Sequence, residues 1–314
     1  MRFLQDEIIV INVAEKTVRT KAYVLQYDYL IVAMGAELAP ELIPGLAEGA
    51  YNLCNLESVM QLKHAVAAIA EGTVAIMISS TPFKCPPAPY EYAFLIDEIL
   101  RKREVREKVK MVLATPEPQP MPIAGRLVGD SVKAMLAGKN IGYHPEHKPK
   151  NIDIVKKIVE FENGHKLHYD ILAAMPPHRV PQVLRDAGLA DASGFIPVDM
   201  QGFSSPVAHV YAVGDVASIR LPSGKPHPKA GVFAEAQAVA AAGNIIADIE
   251  GKEQARYAGK GTCFVEVGDA KAALVESDLL ADGGPKIVMM QPSGQGLEGK
   301  RLFEEERLGK WFRD

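Results

Sequence analysis

VYAVGDVASIRLPSGKPHPKAGVFAEAQAVAAAGNIIA, residues 210–247, decides how the rest of the chain reads. A buried strand over 209–213 runs into the Gly214-Asp215 turn, and after a loop an Ala-rich helix begins near Lys229. A strand that ends in Gly-Asp and faces a helix N-terminus suits a polar cofactor. The carboxylate accepts a hydrogen bond from a sugar-alcohol hydroxyl, and the unsatisfied N–H groups of the first helical turn face a developing negative charge. Gly-Asp alone is no more than a strand–turn–helix unit of an α/β protein; the length and order of this stretch carry the information.

The chain has 314 residues, enough for about two domains. With 48% hydrophobic and 24% charged residues it has the composition of a globular protein with a substantial core. A net charge of −4, with no Lys/Arg run interleaved with aromatics, excludes a general nucleic-acid binder. No apolar run approaches the ~18 residues needed to span a bilayer, and MRFLQDEIIV at the start has no signal-peptide pattern. Three cysteines, Cys54, Cys85 and Cys263, are too few and too scattered for a disulfide scaffold, so they point to chemistry or to chance.

From the N-terminus, residues 7–20 alternate around a central turn and read as an antiparallel pair. YDYLIVAMGAELAPELIPGL (27–46) carries a β-branched run at 30–32, closed by Met34-Gly35 and followed by a Pro/Gly-rich connection. Residues 55–175 then alternate strand and helix: helix 57–70, strand 73–79, helix 88–103, strand 110–114, helix 123–137. Segments 151–160 and 166–173 read as paired strands around Asn163-Gly164. The alternation predicts a βαβ domain with a parallel sheet. In the C-terminal part, 261–280 reads as two antiparallel strands joined at Gly268-Asp269, and 286–290 as a further strand.

The turn after strand 73–79 is SSTPFKCPPAPYE, with four prolines and no glycine. Prolines remove the backbone N–H groups a pyrophosphate site needs, so NAD binding is not expected there. Cys85 sits at a helix start beside Lys84, a setting expected to favour thiolate. The chain's one GxGxxG, Gly294 to Gly299, leaves too little sequence for a second strand and a ribose-binding acid; a loop is the better expectation. His144 and His147 flank Pro145 and read as loop residues, and the histidines show no close metal-ligand spacing.

These segments together resemble the sulfide:quinone oxidoreductase and flavocytochrome c sulfide dehydrogenase flavoprotein family, within the two-dinucleotide-domain FAD oxidoreductases. VYAVGDVA with PKAGVFAEAQAVAAAGNI resembles the second flavin-contacting motif. YDYLIVAMGA…PGL resembles the crossover leaving the FAD domain, with Met34 where threonine is usual. KCPPAPYE and GTCFVEVGD resemble the turns around the two redox cysteines. The family's N-terminal GxGxxG unit normally precedes the crossover and is not found before residue 27; a truncated chain, a cofactor completed otherwise and a lost cofactor all remain open.

The resemblance implies a Rossmann-like α/β two-domain fold: a shortened FAD-binding domain from 1–54 and 176–255, a NAD-like βαβ domain at 55–175, and a small α+β segment at 256–314. It implies FAD held through Gly35, Gly214, Asp215, Lys229, Ala230 and Gly231. Sulfide would attack a Cys85–Cys263 disulfide or polysulfide bridge and leave a persulfide, electrons passing through the flavin to a quinone or a cytochrome. Cys54 falls roughly where quinone-reducing members carry a third cysteine. Leu302, Phe303, Leu308, Trp311 and Phe312 in the tail suggest either a helix packed on its own domain or a peripheral membrane contact. Location in the cytoplasm or at a membrane surface, and homo-oligomerisation, are compatible with this reading. The alternatives are another flavin-dependent NAD(P)H or quinone reductase, and a truncated or degenerate chain that keeps the fold but binds no FAD or works only beside a separate nucleotide-binding partner.

Overall fold

The computed structural model describes residues 2–254 and 256–312. The chain is α/β and divides into two compact units, Met1–Glu37 with His178–Gly259, and Leu38–Pro177 with Lys260–Asp314. These limits differ from the expected ones in two places. Residues 38–54 belong with the second unit because strand Tyr51–Asn52 pairs in parallel with Ile171–Met175. The C-terminal segment also joins that unit rather than standing apart.

The second unit is built on a five-stranded parallel sheet in the order Tyr51–Asn52, Ile171–Met175, Gly72–Ile78, Val109–Ala114, Ile141–His144. Strands covered on both faces read as continuous apolar runs, and GTVAIMI and ILAAM are such runs. The period of two sorts their side chains. Val74, Ile76 and Ile78 enter the core under the helices, with Leu62, Phe94 and Leu136. Ala75 and Met77 enter a second core with Ile152, Val159, Phe161 and Leu167. The latter four come from the antiparallel meander Pro149–Asp153, Ile158–Phe161 and Lys166–His168. Sequence reading paired 151–160 with 166–173. In the structure the first segment is itself two strands, and Ile171–Met175 leaves the meander for the parallel sheet.

The C-terminal strands Lys260–Gly268, Lys271–Asp278 and Lys286–Met289 form an antiparallel sheet whose Val265, Val267, Ala273 and Val275 complete the helix-side core. Asp269 at its hairpin takes a bidentate bond from Arg101 of helix Ala88–Lys102, at 2.9 and 3.1 Å. The GxGxxG segment is helical, not a loop: helix Gly294–Phe312 starts on its first glycine. A Cβ on Gly296 would lie 2.0 Å from the Ala272 carbonyl oxygen, and one on Gly299 3.0 Å from the Phe264 ring. These glycines therefore serve close helix-on-sheet packing.

The first unit holds the antiparallel strands Ile8–Asn12, Thr17–Thr20 and Val24–Gln26, and the parallel pair Leu30–Val32 with Val210–Ala212. Its long helix, Gly231–Glu250, is long and apolar enough to cross a membrane by length and composition. The sequence reading expected no such stretch, because Glu235, Gln237 and Asn244 interrupt the apolar residues of this helix. Gln237 and Asn244 on this helix are almost fully buried, and Gln237 is hydrogen-bonded to the turn at Gly214. Those contacts pack one face of the helix on its own unit, while Val239, Ile246 and Ile249 stay exposed.

Candidate active site

Three segments far apart in sequence bring the cysteines of the second unit into one electrostatic neighbourhood. Cys54 follows strand Tyr51–Asn52, its N–H donating to Asn52 Oδ1 at 2.8 Å and its thiol lying 3.8 Å from Met175 Sδ. Cys85 lies in the loop between strand Gly72–Ile78 and helix Ala88–Lys102, with φ +56°. Cys263 is on strand Lys260–Gly268, opposite Val275, and packs with Cys54 against the helix-side core. All three are free thiols. Tyr92 ties the helix to the Cys54 turn through a 3.0 Å hydrogen bond to the Leu53 carbonyl.

The expected thiolate character of Cys85 is not what this environment favours. The residue is exposed, yet its sulfur is closely surrounded by protein, and burial with the nearby Glu91 charge pushes the thiol up to about 11. The Ala88 amide at the helix start acts in the expected direction but is outweighed. The helping ammonium is Lys300 of the C-terminal helix, not Lys84. Cys263 is pushed up to about 12 by burial, then by the Cys85 and Glu91 charges. Glu91 is itself held: its Oε1 accepts from Lys300 Nζ at 2.8 Å and from the Glu266 N–H at 2.7 Å, and Lys300 also reaches Glu266 Oε2 at 3.0 Å. Sequence reading quoted Glu91 within the cysteine turn without giving it a role, and missed Lys300. No local signal marks a lysine 209 positions away as its partner.

In the first unit, the strand Val210–Ala212 ends in the 3₁₀ turn Gly214–Val216. Gly214 has φ +74°, which a side chain would strain. Its N–H is taken by Gln237 Oε1 at 2.8 Å, so it is not a free donor. Asp215 is half-buried beside it. Lys229 is buried and spends its ammonium on the carbonyls of Asp215 and Ala217, at 2.7 and 3.0 Å, over the Phe195 ring at 3.7 Å. Burial pulls it down to about 8, against the opposing charge of Asp215. Ala230 is the extended residue before helix Gly231–Glu250, whose N-terminus has no side-chain cap. Gly214, His227, Lys229, Ala230 and Gln237 border a small pocket. Gly35, at φ +67°, follows the paired strand Leu30–Val32.

This donor set fits the flavin end of FAD. Asp215 offers an acceptor, and an uncapped helix N-terminus offers backbone donors. The six residues expected to hold the cofactor all lie in the first unit, and all three cysteines lie in the second.

Residues 1–242 match the family model described as pyridine nucleotide-disulphide oxidoreductase. The chain belongs to the pyridine nucleotide-disulphide oxidoreductase family. Members of this family are FAD-binding oxidoreductases. Within it, the chain is 26% identical over 243 residues to the mitochondrial sulfide:quinone oxidoreductase of Mus musculus, covering 72% of this chain and 52% of that protein. It is 27% identical over 290 residues to the sulfide-quinone reductase of Aquifex aeolicus, covering 86% and 66%. The chain thus spans between about half and two-thirds of these relatives' lengths. The crystal structure of the Aquifex aeolicus sulfide:quinone oxidoreductase superposes with a TM-score of 0.82 at 23% identity, over 100% of this chain and 80% of that one. A ferredoxin reductase of Rhodopseudomonas palustris gives 0.66 at 16%, over 89% and 65%. Both structural likenesses concern the family fold.

Proposed function

We propose that this chain is a sulfide-oxidising flavoprotein of the sulfide:quinone oxidoreductase kind, working through Cys85 and Cys263. The observation that carries the reading is the convergence of Cys54, Cys85 and Cys263 with the Glu91–Lys300 pair in one unit. In the oxidised enzyme Cys85 and Cys263 form a disulfide. Hydrosulfide forms a new S–S bond to one cysteine sulfur as the Cys85–Cys263 bond breaks, leaving a persulfide and a thiolate. Lys300 supplies positive charge where that thiolate develops, and Glu91 fixes the lysine's position. Sulfide has given one electron pair to the cysteine pair. Once the persulfide's outer sulfur has passed to a nucleophile such as a second hydrosulfide, Cys85 and Cys263 re-form their disulfide by releasing that pair, for which bound FAD would supply the two-electron acceptor ahead of a quinone or cytochrome. Asp215 and the N-terminus at Ala230 and Gly231 bind and orient the flavin end, and buried Lys229 braces the turn carrying Asp215.

Cys54, close enough to raise the thiol of Cys85, serves as a relay for sulfur between turnovers. A quinone acceptor places the protein at a membrane surface or in the cytoplasm beside one. Helix Gly294–Phe312, with Leu302, Leu308, Trp311 and Phe312 exposed, offers the apolar contact. The test is an absorption spectrum of the FAD-supplemented protein before and after anaerobic sulfide. Bleaching by sulfide but not by NADH is expected, with sulfide turnover abolished in Cys85→Ser. A protein that takes up no FAD, or a Cys85→Ser variant with unchanged turnover, overturns the reading.

A further inference from the structure

The fold assembles a cluster of imidazoles that the sequence spacing did not reveal. One ligand nitrogen from each of His144, His147 and His165 lies within 4.8 Å of the other two. His144 ends the edge strand Ile141–His144, His147 follows the turn after it, and His165 sits between strands Ile158–Phe161 and Lys166–His168. The ring centroids are 5.1 Å apart for His144 and His147, 5.5 Å for His144 and His165, and 4.8 Å for His147 and His165.

The backbone holds these rings in place. The His144 carbonyl accepts from the Thr115 N–H at 3.0 Å, and the His147 N–H donates to the Thr115 carbonyl at 2.8 Å. The hairpin bearing His165 is fastened to the same loop by Asn163 Nδ2 on the Glu146 carbonyl at 3.1 Å and by the Glu162 N–H on the Lys148 carbonyl at 2.9 Å. His147 Nδ1 lies 2.6 Å from the Pro145 carbonyl, which only accepts, so Nδ1 carries the proton and Nε2 keeps its lone pair. That is the outer bond by which metal-binding histidines fix their tautomer. His144 and His147 are half-buried and His165 is exposed, so the cluster is walled by protein and open on one side.

We propose that His144, His147 and His165 form a binding site for a divalent transition-metal ion, zinc being the chemical type that suits three imidazoles best. Zn–N bonds of about 2.0–2.1 Å in tetrahedral geometry set nitrogens about 3.4 Å apart, within reach of small side-chain rotations from the present spacing. Water fills the fourth position on the exposed side. The ion clips the His144–His147 loop to the His165 hairpin, joining the parallel sheet to its covering meander. The ammonium of Lys110 acts on His144 and opposes the bound charge, which favours a site of moderate affinity. The site is independent of the cysteine chemistry and of the function proposed above.

The test uses the full chain, titrated with Zn2+ by calorimetry and with Co2+ by absorption. One-to-one Zn2+ binding is expected, with Co2+ showing d–d bands and no thiolate-to-metal charge-transfer band. His165→Ala and His147→Ala should each weaken Zn2+ binding about 100-fold. Zn2+ should raise the melting temperature of the parent protein by a few degrees and leave that of His165→Ala unchanged. His165 is an exposed turn residue, so this variant keeps the fold even if His147→Ala, which loses the Pro145 contact, does not. No saturable binding overturns the proposal. So does an affinity unchanged in His165→Ala, or a Co2+ spectrum with thiolate bands.

Discussion

The Glu91 carboxylate lies 2.8 Å from the Lys300 ammonium, so the charge that raises the Cys85 thiol and the charge that lowers it are bonded to each other. The two residues are a matched control on one sulfur. Glu91→Gln removes the raising charge while Lys300 stays on Glu266, and should give about tenfold more thiolate at a given pH, read as faster alkylation of Cys85 by iodoacetamide. Lys300→Met acts in the opposite sense and should slow alkylation. Site-resolved mass spectrometry from pH 7 to 10 measures both. Equal rates in the three proteins would show that burial alone sets the thiol.

Glu117 is the buried carboxyl under the parallel sheet's C-terminal edge. Its Oε2 is 3.4 Å from both Tyr90 Oη and Thr115 Oγ1, long bonds that do not offset burial, which pushes the group up to about 7. A carboxyl raised in the folded state holds its proton longer there than in the unfolded chain. The associated stability is therefore complete below the ordinary value of 4.5 and lost as pH rises through about 7. Glu117→Gln should abolish that loss, making the variant more stable than the parent at pH 8, by up to about 3 kcal/mol. Urea unfolding at pH 5 and pH 8 makes the comparison, and identical pH slopes would refute it.

Much of this fold was legible because its signals are local. The runs GTVAIMI and ILAAM, the hairpin at Gly268-Asp269 and the Ala-rich helix each announce themselves within a few residues, and the motif residues around Cys85, Asp215 and Cys263 do the same. What stayed hidden depends on partners distant in sequence. Lys300 meets Glu91 and His165 meets His147 only after the sheets have stacked. Domain limits failed for the same reason, since Tyr51–Asn52 is too short to look like a sheet strand until Ile171–Met175 lies beside it. The Cys85 environment was misjudged because a sequence shows the neighbouring Lys84 but not the enclosing protein or the charge of Glu91.

Lys229 gives a pH dependence of the other kind. Burial pulls its ammonium down to about 8 from 10.5, so the folded protein binds fewer protons than the unfolded chain between those values. Stability from this site therefore rises as pH climbs from about 8 to 10.5. In Lys229→Met that rise, up to about 3 kcal/mol, should vanish. The variant should also lose about 1–3 kcal/mol at pH 7, because the Asp215 and Ala217 carbonyls lose their donor. The difference in unfolding free energy between parent and variant, followed from pH 7 to 10, isolates this group from other alkaline titrations. A difference that stays constant across that range would contradict the assignment.

Gly296 tests whether the GxGxxG glycines serve packing. Alanine is the better helix former by about 1 kcal/mol, so on propensity alone Gly296→Ala should stabilise helix Gly294–Phe312. Its methyl would sit 2.0 Å from the Ala272 carbonyl oxygen, a backbone atom on strand Lys271–Asp278 that cannot rotate away. Helix and strand must separate, and overpacking of this kind costs about 1–3 kcal/mol. Gly299→Ala is the internal comparison: its methyl meets the Phe264 ring at 3.0 Å, and a side chain can yield where a backbone cannot. The expected order of melting temperature is parent highest, Gly299→Ala close below it, and Gly296→Ala clearly lowest. A Gly296→Ala protein as stable as the parent would mean that the close approach of helix to strand is not what these glycines provide.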